Sequence, residues 1–277
     1  MGVLDGMVTV VAGGTSGIGA RTVELFTEEG AQVVVAGRRR EEGEALAARL
    51  GSNVSFFQAD VLYEDQVEGL MAHAIQRFGR LDCLFNNAGG GPPPTSIADL
   101  DINDFDSAIA LNVRAVALGM KYAAKIMQAQ RSGSIINTGS VAGIRSGYAS
   151  HPYSTAKAAV IHLTRCVAVE MGTFNVRVNS ISPGAIVTGL FRKRSSGVTQ
   201  PHGDDGLENL NAFFATVQPT PRAGLPDDIA QAALFLASNA SSFVNGQDLI
   251  VDGGMAAGHS WQEMQAFRAE IGRRVSS

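Results

Sequence analysis

The chain has 277 residues, 45% hydrophobic and 17% charged, with a formal net charge of -4 at pH 7. That is enough chain for one large core, or at most two modest ones. The mild acidity argues against a nucleic-acid face, because Arg38-Arg39-Arg40 and Arg192-Lys193-Arg194 are the only dense basic runs.

No apolar run reaches the length of a membrane span. The start, Met1-Gly2-Val3-Leu4-Asp5-Gly6, has no basic leader. Cys83 and Cys166 both stand in apolar sequence, which suits a reducing compartment better than a disulfide framework. A cytoplasmic protein with no membrane and no nucleic-acid partner is expected.

Met7 to Ala12 reads as a strand with no polar face, as a central parallel strand covered on both sides does. Gly13-Gly14-Thr15-Ser16-Gly17-Ile18-Gly19 follows and leads into a helical pattern. Glycines here let the backbone approach a pyrophosphate, whose charge suits the N–H groups at a helix start; an ordinary tight turn is the plainer reading. Gln32 to Ala36 forms a second strand. A dinucleotide-binding unit for NAD ends this strand on a carboxylate that holds the ribose hydroxyls. Here Gly37 stands in that place, followed by the three arginines. The missing carboxylate and an available guanidinium fit a ribose 2′-phosphate, so NADP is favoured, with NAD as the alternative and Arg38 as the contact. A solvated basic turn before a helix over 41–50 is the competing reading for any one of the three arginines.

Val54 to Gln58 is a third strand, ending at Asp60-Val61. Asp60 either receives the adenine amino group or caps the following turn. After a helix over 65–78, Leu81 to Phe85 supplies a fourth strand, closed by Asn86-Asn87-Ala88-Gly89. That stretch suits holding backbone beside a flat ligand, and equally reads as a turn rich in Asn and Gly. Gly90-Gly91-Pro92-Pro93-Pro94 is expected to be a stiff, exposed loop. One long helix is expected over 102–130. It embeds Asn112 in apolar sequence, where a buried amide must find partners.

Ser134 to Thr138 is a fifth strand ending at Gly139-Ser140. Residues at the carboxyl ends of parallel strands face the usual ligand crevice, so Ser140 is a candidate donor to a substrate oxygen, or else the cap of a short turn. It lies in no Gly-x-Ser-x-Gly elbow. The helix over 151–171 places Tyr153 and Lys157 four residues apart on one face. A phenol has a reference pKa of about 10, and a neighbouring ammonium favours the phenolate, which suits proton exchange with an alcohol oxygen.

Val176 to Ile181 is the sixth strand, continued by Pro183-Gly184-Ala185-Ile186-Val187-Thr188. Thr188 can position a nicotinamide carboxamide or cap a helix. The interval 190–222 is the least regular, with Gly197, Gly203-Asp204-Asp205-Gly206 and Phe213-Phe214, and is expected to be a flexible segment over the crevice or a surface insertion. A helix from Pro226 and an edge strand within 246–254 follow. The tail, 255–277, carries Trp261 and Phe267 on a helical pattern that docks on its own core or on a partner subunit. The five histidines form no compact ligand pattern, so no metal is expected.

Together these residues resemble the short-chain dehydrogenase/reductase family. Its Thr-Gly-x-x-x-Gly-x-Gly motif falls on Ala12 to Gly19, with Ala12 in place of the threonine. Its Asn-Ala-Gly motif falls on Asn87, Ala88 and Gly89. Its catalytic quartet falls on Asn112, Ser140, Tyr153 and Lys157, its acidic adenine contact on Asp60 beside Val61, and its Pro-Gly plus Thr segment on Pro183, Gly184 and Thr188. The resemblance implies a single doubly wound α/β domain of the Rossmann type over 1–254, with 255–277 as an appended tail. It implies a homotetramer or a homodimer. It further implies hydride transfer between a nicotinamide cofactor and a ketone or secondary alcohol.

In that scheme Tyr153 is the acid or base, Lys157 assists it and holds the nicotinamide ribose, Ser140 orients the reacting oxygen, and Asn112 supports a water-linked proton route. Gly13, Thr15, Ser16, Gly17, Ile18 and Gly19 line the cofactor with Arg38. The competing function is a dinucleotide-binding structural or regulatory protein without turnover, which would have no evident need for the full quartet.

Overall fold

Val10 and Val11, Val34 and Val35, Leu84 and Phe85, and Ile135 and Ile136 are sequence neighbours that point to opposite sides of one sheet, and all eight are fully buried. A strand whose two faces are both covered must read as an unbroken apolar run, and these do. The computed structural model describes residues 2–188 and 205–276.

Among them, seven strands form a parallel sheet: β1 (Val8–Ala12), β2 (Gln32–Gly37), β3 (Val54–Gln58), β4 (Cys83–Asn86), β5 (Gly133–Thr138), β6 (Val176–Pro183) and β7 (Asp248–Val251). Their order across the sheet is β3-β2-β1-β4-β5-β6-β7. The chain builds outward from β1 to β3 and then returns to lay β4 against the other side of β1. At such a reversal the crossover connections diverge and leave a crevice beyond the carboxyl ends of β1 and β4.

Helices α1 (Gly17–Glu28) and α2 (Arg40–Leu50) cover one face together with the later α8 (Pro226–Ala237), burying Val23, Phe26, Leu46, Ile229 and Leu236. Helices α3 (Glu64–Phe78), α5 (Ala115–Gln130) and α6 (His151–Met171) cover the other, with Leu70, Met71, Met127, Val160 and Met171 inside. Helix α4 (Ile102–Ile109) precedes α5, α7 (Asp205–Phe214) precedes α8, and α9 (Trp261–Val275) lies in the tail. Among the described residues no helix is long and apolar enough to cross a membrane.

Several expectations are corrected. The strand expected over 81–85 begins at Cys83, because the Val8 N–H turns to the Asp82 carboxylate at 2.9 Å instead of to strand backbone. The long helix expected over 102–130 is interrupted by one π-turn, Ala110–Arg114, where the Ala115 N–H donates to the Ala110 carbonyl five residues back.

Within the interval expected to be irregular, α7 forms, with Leu210 and Phe214 one helical turn apart and Phe214 buried while Phe213 is exposed. Arg192-Lys193-Arg194, Gly197, Gly203 and Asp204 lie outside the described residues. The two cysteines differ. Cys83 is buried in the sheet, and desolvation pushes its thiol up to about 12, whereas Cys166 lies exposed on α6. The root of the tail is tied to the core, with Ala256 buried and the Met255 carbonyl accepting the Tyr148 hydroxyl, but α9 itself contains no buried residue.

Candidate active site

The loop after β1 and the loop after β4 are joined at the crevice floor. Asn87 and Ala88 donate their backbone N–H groups to the Ala12 carbonyl at 3.0 and 2.8 Å, and Asn87 Nδ2 donates to the Gly13 carbonyl at 2.9 Å. This closeness fixes the glycines. A Cβ on Gly13, whose φ is +80°, would sit 2.7 Å from the Ala88 nitrogen, and one on Gly19 would sit 2.1 Å from the Gly13 carbonyl oxygen.

Ser16 is the N-cap of α1 but makes no side-chain cap, and the first turn holds no acidic residue, so its own first turn leaves that helix start to an anion. Ile18 packs toward the core below it. Gly17 faces Thr188 across the opening, a Cβ on the glycine lying 3.4 Å from the threonine side chain. The Pro183-Gly184 segment that carries Thr188 is held to β7 by the Gly184 N–H donating to Val251 at 3.0 Å.

On the adenosine side, Gly37 packs on Thr15, whose Cγ2 would meet an added Cβ at 2.8 Å. Arg39 Nη2 donates to Thr15 Oγ1 at 2.9 Å and so lies over the glycine loop. Arg38, the residue singled out from sequence, is 76% exposed and stands 3.9 Å from the Asp60 carboxylate. Asp60 Oδ1 accepts the Leu62 N–H at 3.1 Å, which is the turn-capping alternative. Val61 shares a small hollow with Ala12, Asn86 and Ala88. Arg39 is the residue that sequence reasoning passed over; the only signal was its place in a run of three.

On the far side, α6 begins with Pro152 in its first turn, a position where the missing N–H costs nothing. Lys157 is buried, its ammonium lies 5.5 Å from the Tyr153 ring centroid, and Nζ donates to the Thr138 carbonyl at 2.6 Å. Burial without a facing carboxylate pulls this ammonium from 10.5 down to about 7.

Ser140 caps the short turn Val141–Gly143, accepting the Ala142 N–H at 3.2 Å. That turn abuts α6 so closely that a Cβ on Gly143 would sit 2.7 Å from the Lys157 carbonyl carbon. Asn112 sits in the π-turn, fully buried. Its Nδ2 donates to the Gly90 and Ala108 carbonyls at 2.7 and 2.8 Å, and its Oδ1 accepts the Gly90 N–H at 3.2 Å.

The amide thereby ties the loop after β4 to the helix. The start of that loop is half-buried instead of exposed as expected, and a Cβ on Gly91 would lie 2.8 Å from the Tyr153 Cβ. A phenol, a buried ammonium, a hydroxyl and a glycine-lined groove therefore share one crevice, a set suited to moving a proton beside a bound anionic ligand.

The family model described as enoyl-(acyl carrier protein) reductase matches residues 12–256. The chain is 42% identical over 259 residues to momilactone A synthase of Oryza sativa subsp. japonica, covering 93% of this chain and 92% of that protein. It is 37% identical over 257 residues to short-chain dehydrogenase reductase 3b of Arabidopsis thaliana, covering 91% and 96%. The crystal structure of levodione reductase superposes with a TM-score of 0.83 at 34% identity, covering 92% of this chain and all of that one.

Proposed function

The chain belongs to the short-chain dehydrogenase/reductase family, and we propose that Tyr153, Lys157, Ser140 and Asn112 carry its reaction with NADP as the favoured cofactor. The protein is an oxidoreductase that transfers hydride between a nicotinamide cofactor and a ketone or secondary alcohol. The observation that carries the residue assignment is the placement of the buried Lys157 ammonium beside the Tyr153 ring, on the wall of the glycine-lined crevice.

The donor set fits a dinucleotide. Gly13, Gly17 and Gly19 keep side chains out of the groove, with Thr15 and Ser16 between them and Ile18 anchoring the turn. Asn87, Ala88 and Gly89 form its floor, Pro183, Gly184 and Thr188 its far wall, and Asp60 with Val61 its adenine end. The cofactor, when bound, supplies the hydride donor or acceptor.

In the reducing direction Tyr153 donates its phenolic proton to the carbonyl oxygen, and in the oxidising direction the phenolate takes it back. Lys157 favours the phenolate whenever it is charged, and its ammonium holds the nicotinamide ribose. Ser140 donates to the reacting oxygen and sets its position. Asn112 fixes the Gly90 loop and with it the space beside Lys157, through which a water-linked proton route runs.

The cofactor choice is supported by the absence of a carboxylate at Gly37 and by two guanidinium groups at that end, Arg38 beside Asp60 and Arg39 on Thr15. The reading includes self-association as a homotetramer or homodimer in the cytoplasm. Support comes from exposed apolar side chains, namely Phe243, Val169 on α6, and Ile250 on the edge strand β7.

A panel of ketones and secondary alcohols followed by cofactor absorbance tests the catalytic reading. Tyr153→Phe is expected to lose most turnover while retaining dinucleotide binding, and near-normal turnover in that variant would reject Tyr153 as the acid or base.

A further inference from the structure

Helix α9 is well made, yet among the described residues it buries no side chain. Ser260 Oγ accepts the Glu263 N–H at 3.2 Å while Glu263 accepts the Ser260 N–H at 2.8 Å, a reciprocal cap. Glu270 pairs with both Arg273 and Arg274 at the other end. At 100° per residue, Trp261, Met264, Phe267, Ile271 and Val275 fall within one stripe about a third of the circumference wide. Trp261 is 66% and Phe267 68% exposed. Helices of this length draw most of their stability from packing an apolar face, so the stripe calls for a partner.

A second surface of the same chain has the opposite character. The run from Ile97 to Ser107 contains Asp99, Asp101, Asp104 and Asp106 and no lysine or arginine. Among the described residues none of the four carboxylates forms an ion pair with a basic side chain. Between them Ile97 is 70% and Ile102 62% exposed. The tail answers with Arg268, which falls within the apolar stripe beside Trp261, whereas Arg273 and Arg274 are paired with Glu270. Among the described residues nothing covers either surface, although each offers what the other lacks.

We propose that α9 of one copy docks on the 97–107 face of a second copy, aromatic stripe on the exposed isoleucines and the Arg268 guanidinium on the aspartates. This rests on the self-association reading above. Both surfaces continue in the chain from segments that border the crevice. The acidic face follows the loop whose Gly91 packs on Tyr153, and the tail leaves Met255, whose carbonyl accepts the Tyr148 hydroxyl at 3.0 Å. Docking therefore sets the tail of one copy beside the site of its neighbour.

Sedimentation equilibrium of the full chain tests this with Phe267→Asp, Arg268→Asp, Asp104→Arg and the double reversal R268D/D104R. Each charge reversal is expected to raise the dissociation constant about fivefold at low salt, and the double reversal to restore it. Phe267→Asp is expected to raise it more than either. All three positions are exposed, so the variants should fold.

A monomeric wild type would overturn the self-association reading itself. An oligomer unchanged by every tail variant would overturn the docking alone. Singles that weaken assembly without rescue in the double would place the tail on another surface and overturn the assignment to 97–107. Binding of the wild type to phosphatidylglycerol vesicles, lost in Phe267→Asp with assembly intact, would give the stripe to a lipid surface and reject the proposal.

Discussion

Lys157 Nζ lies 2.6 Å from the Thr138 carbonyl oxygen, so a buried charged group in the wall of the crevice is held by the last residue of β5. The bond fixes where the ammonium sits, and burial sets how readily it is charged.

The first prediction follows from that charge. Lys157 gives up its proton near pH 7 in the folded chain but near 10.5 when unfolded, so between those values the unfolded chain binds more protons and folding stability rises with pH. Each pH unit in that window adds up to about 1.4 kcal/mol. Urea denaturation of the cofactor-free protein at about pH 6.5 and about pH 9.5 should show wild type gaining on Lys157→Met. A constant difference across the window would mean the ammonium is not desolvated.

Asn112 makes three hydrogen bonds from full burial, two of them to Gly90. Asn112→Ala should cost roughly 2–4 kcal/mol in urea unfolding, because the loop's backbone groups lose their partners as well. Turnover should fall further than the remaining folded fraction accounts for, since the same loop packs on Tyr153.

Arg38 and Arg39 divide the adenosine end between Asp60 and Thr15. Titration should show tighter binding of NADPH than of NADH. Arg38→Ala and Arg39→Ala together should erase roughly tenfold to hundredfold of that preference and leave NADH binding little changed. Equal loss for both cofactors would remove the phosphate from these side chains.

The Tyr148 hydroxyl donates to the Met255 carbonyl and so fastens the segment before α6 to the root of the tail. Tyr148→Phe should raise KM by about threefold to fivefold with kcat little changed, as expected for loss of a contact that shapes the entrance and not the reacting atoms. An equal fall in kcat would place Tyr148 closer to the chemistry.

Much of this arrangement was legible in the chain, because parallel strands buried on both faces announce themselves as apolar runs and the glycines that permit close backbone approach have no substitute. Helical spacing put Tyr153 and Lys157 on one face, but only the motifs upstream distinguished them from a common surface pair. What escaped was set by tertiary contact. Arg39 and Arg38 are adjacent and alike in sequence, and only the turn after β2 decides which one reaches Thr15. Gly91 looked like part of an exposed loop until Asn112 pulled its neighbour Gly90 inward. The π-turn has no composition of its own, since Ala110 to Arg114 would serve equally well in a regular helix.

That π-turn acts as a phase offset. A regular helix advances 100° per residue, so the one surplus residue rotates everything before Ala110 relative to everything after Arg114. Deleting a residue there would let the helix close with ordinary bonds and would satisfy its backbone at least as well. It would also turn the Ile102–Ile109 segment by more than a quarter of a circle and carry the Ala108 carbonyl away from the Asn112 amide. A shortening that improves the helix as a helix would thus cost the crevice its floor, and the defect is where the geometry of the site is stored.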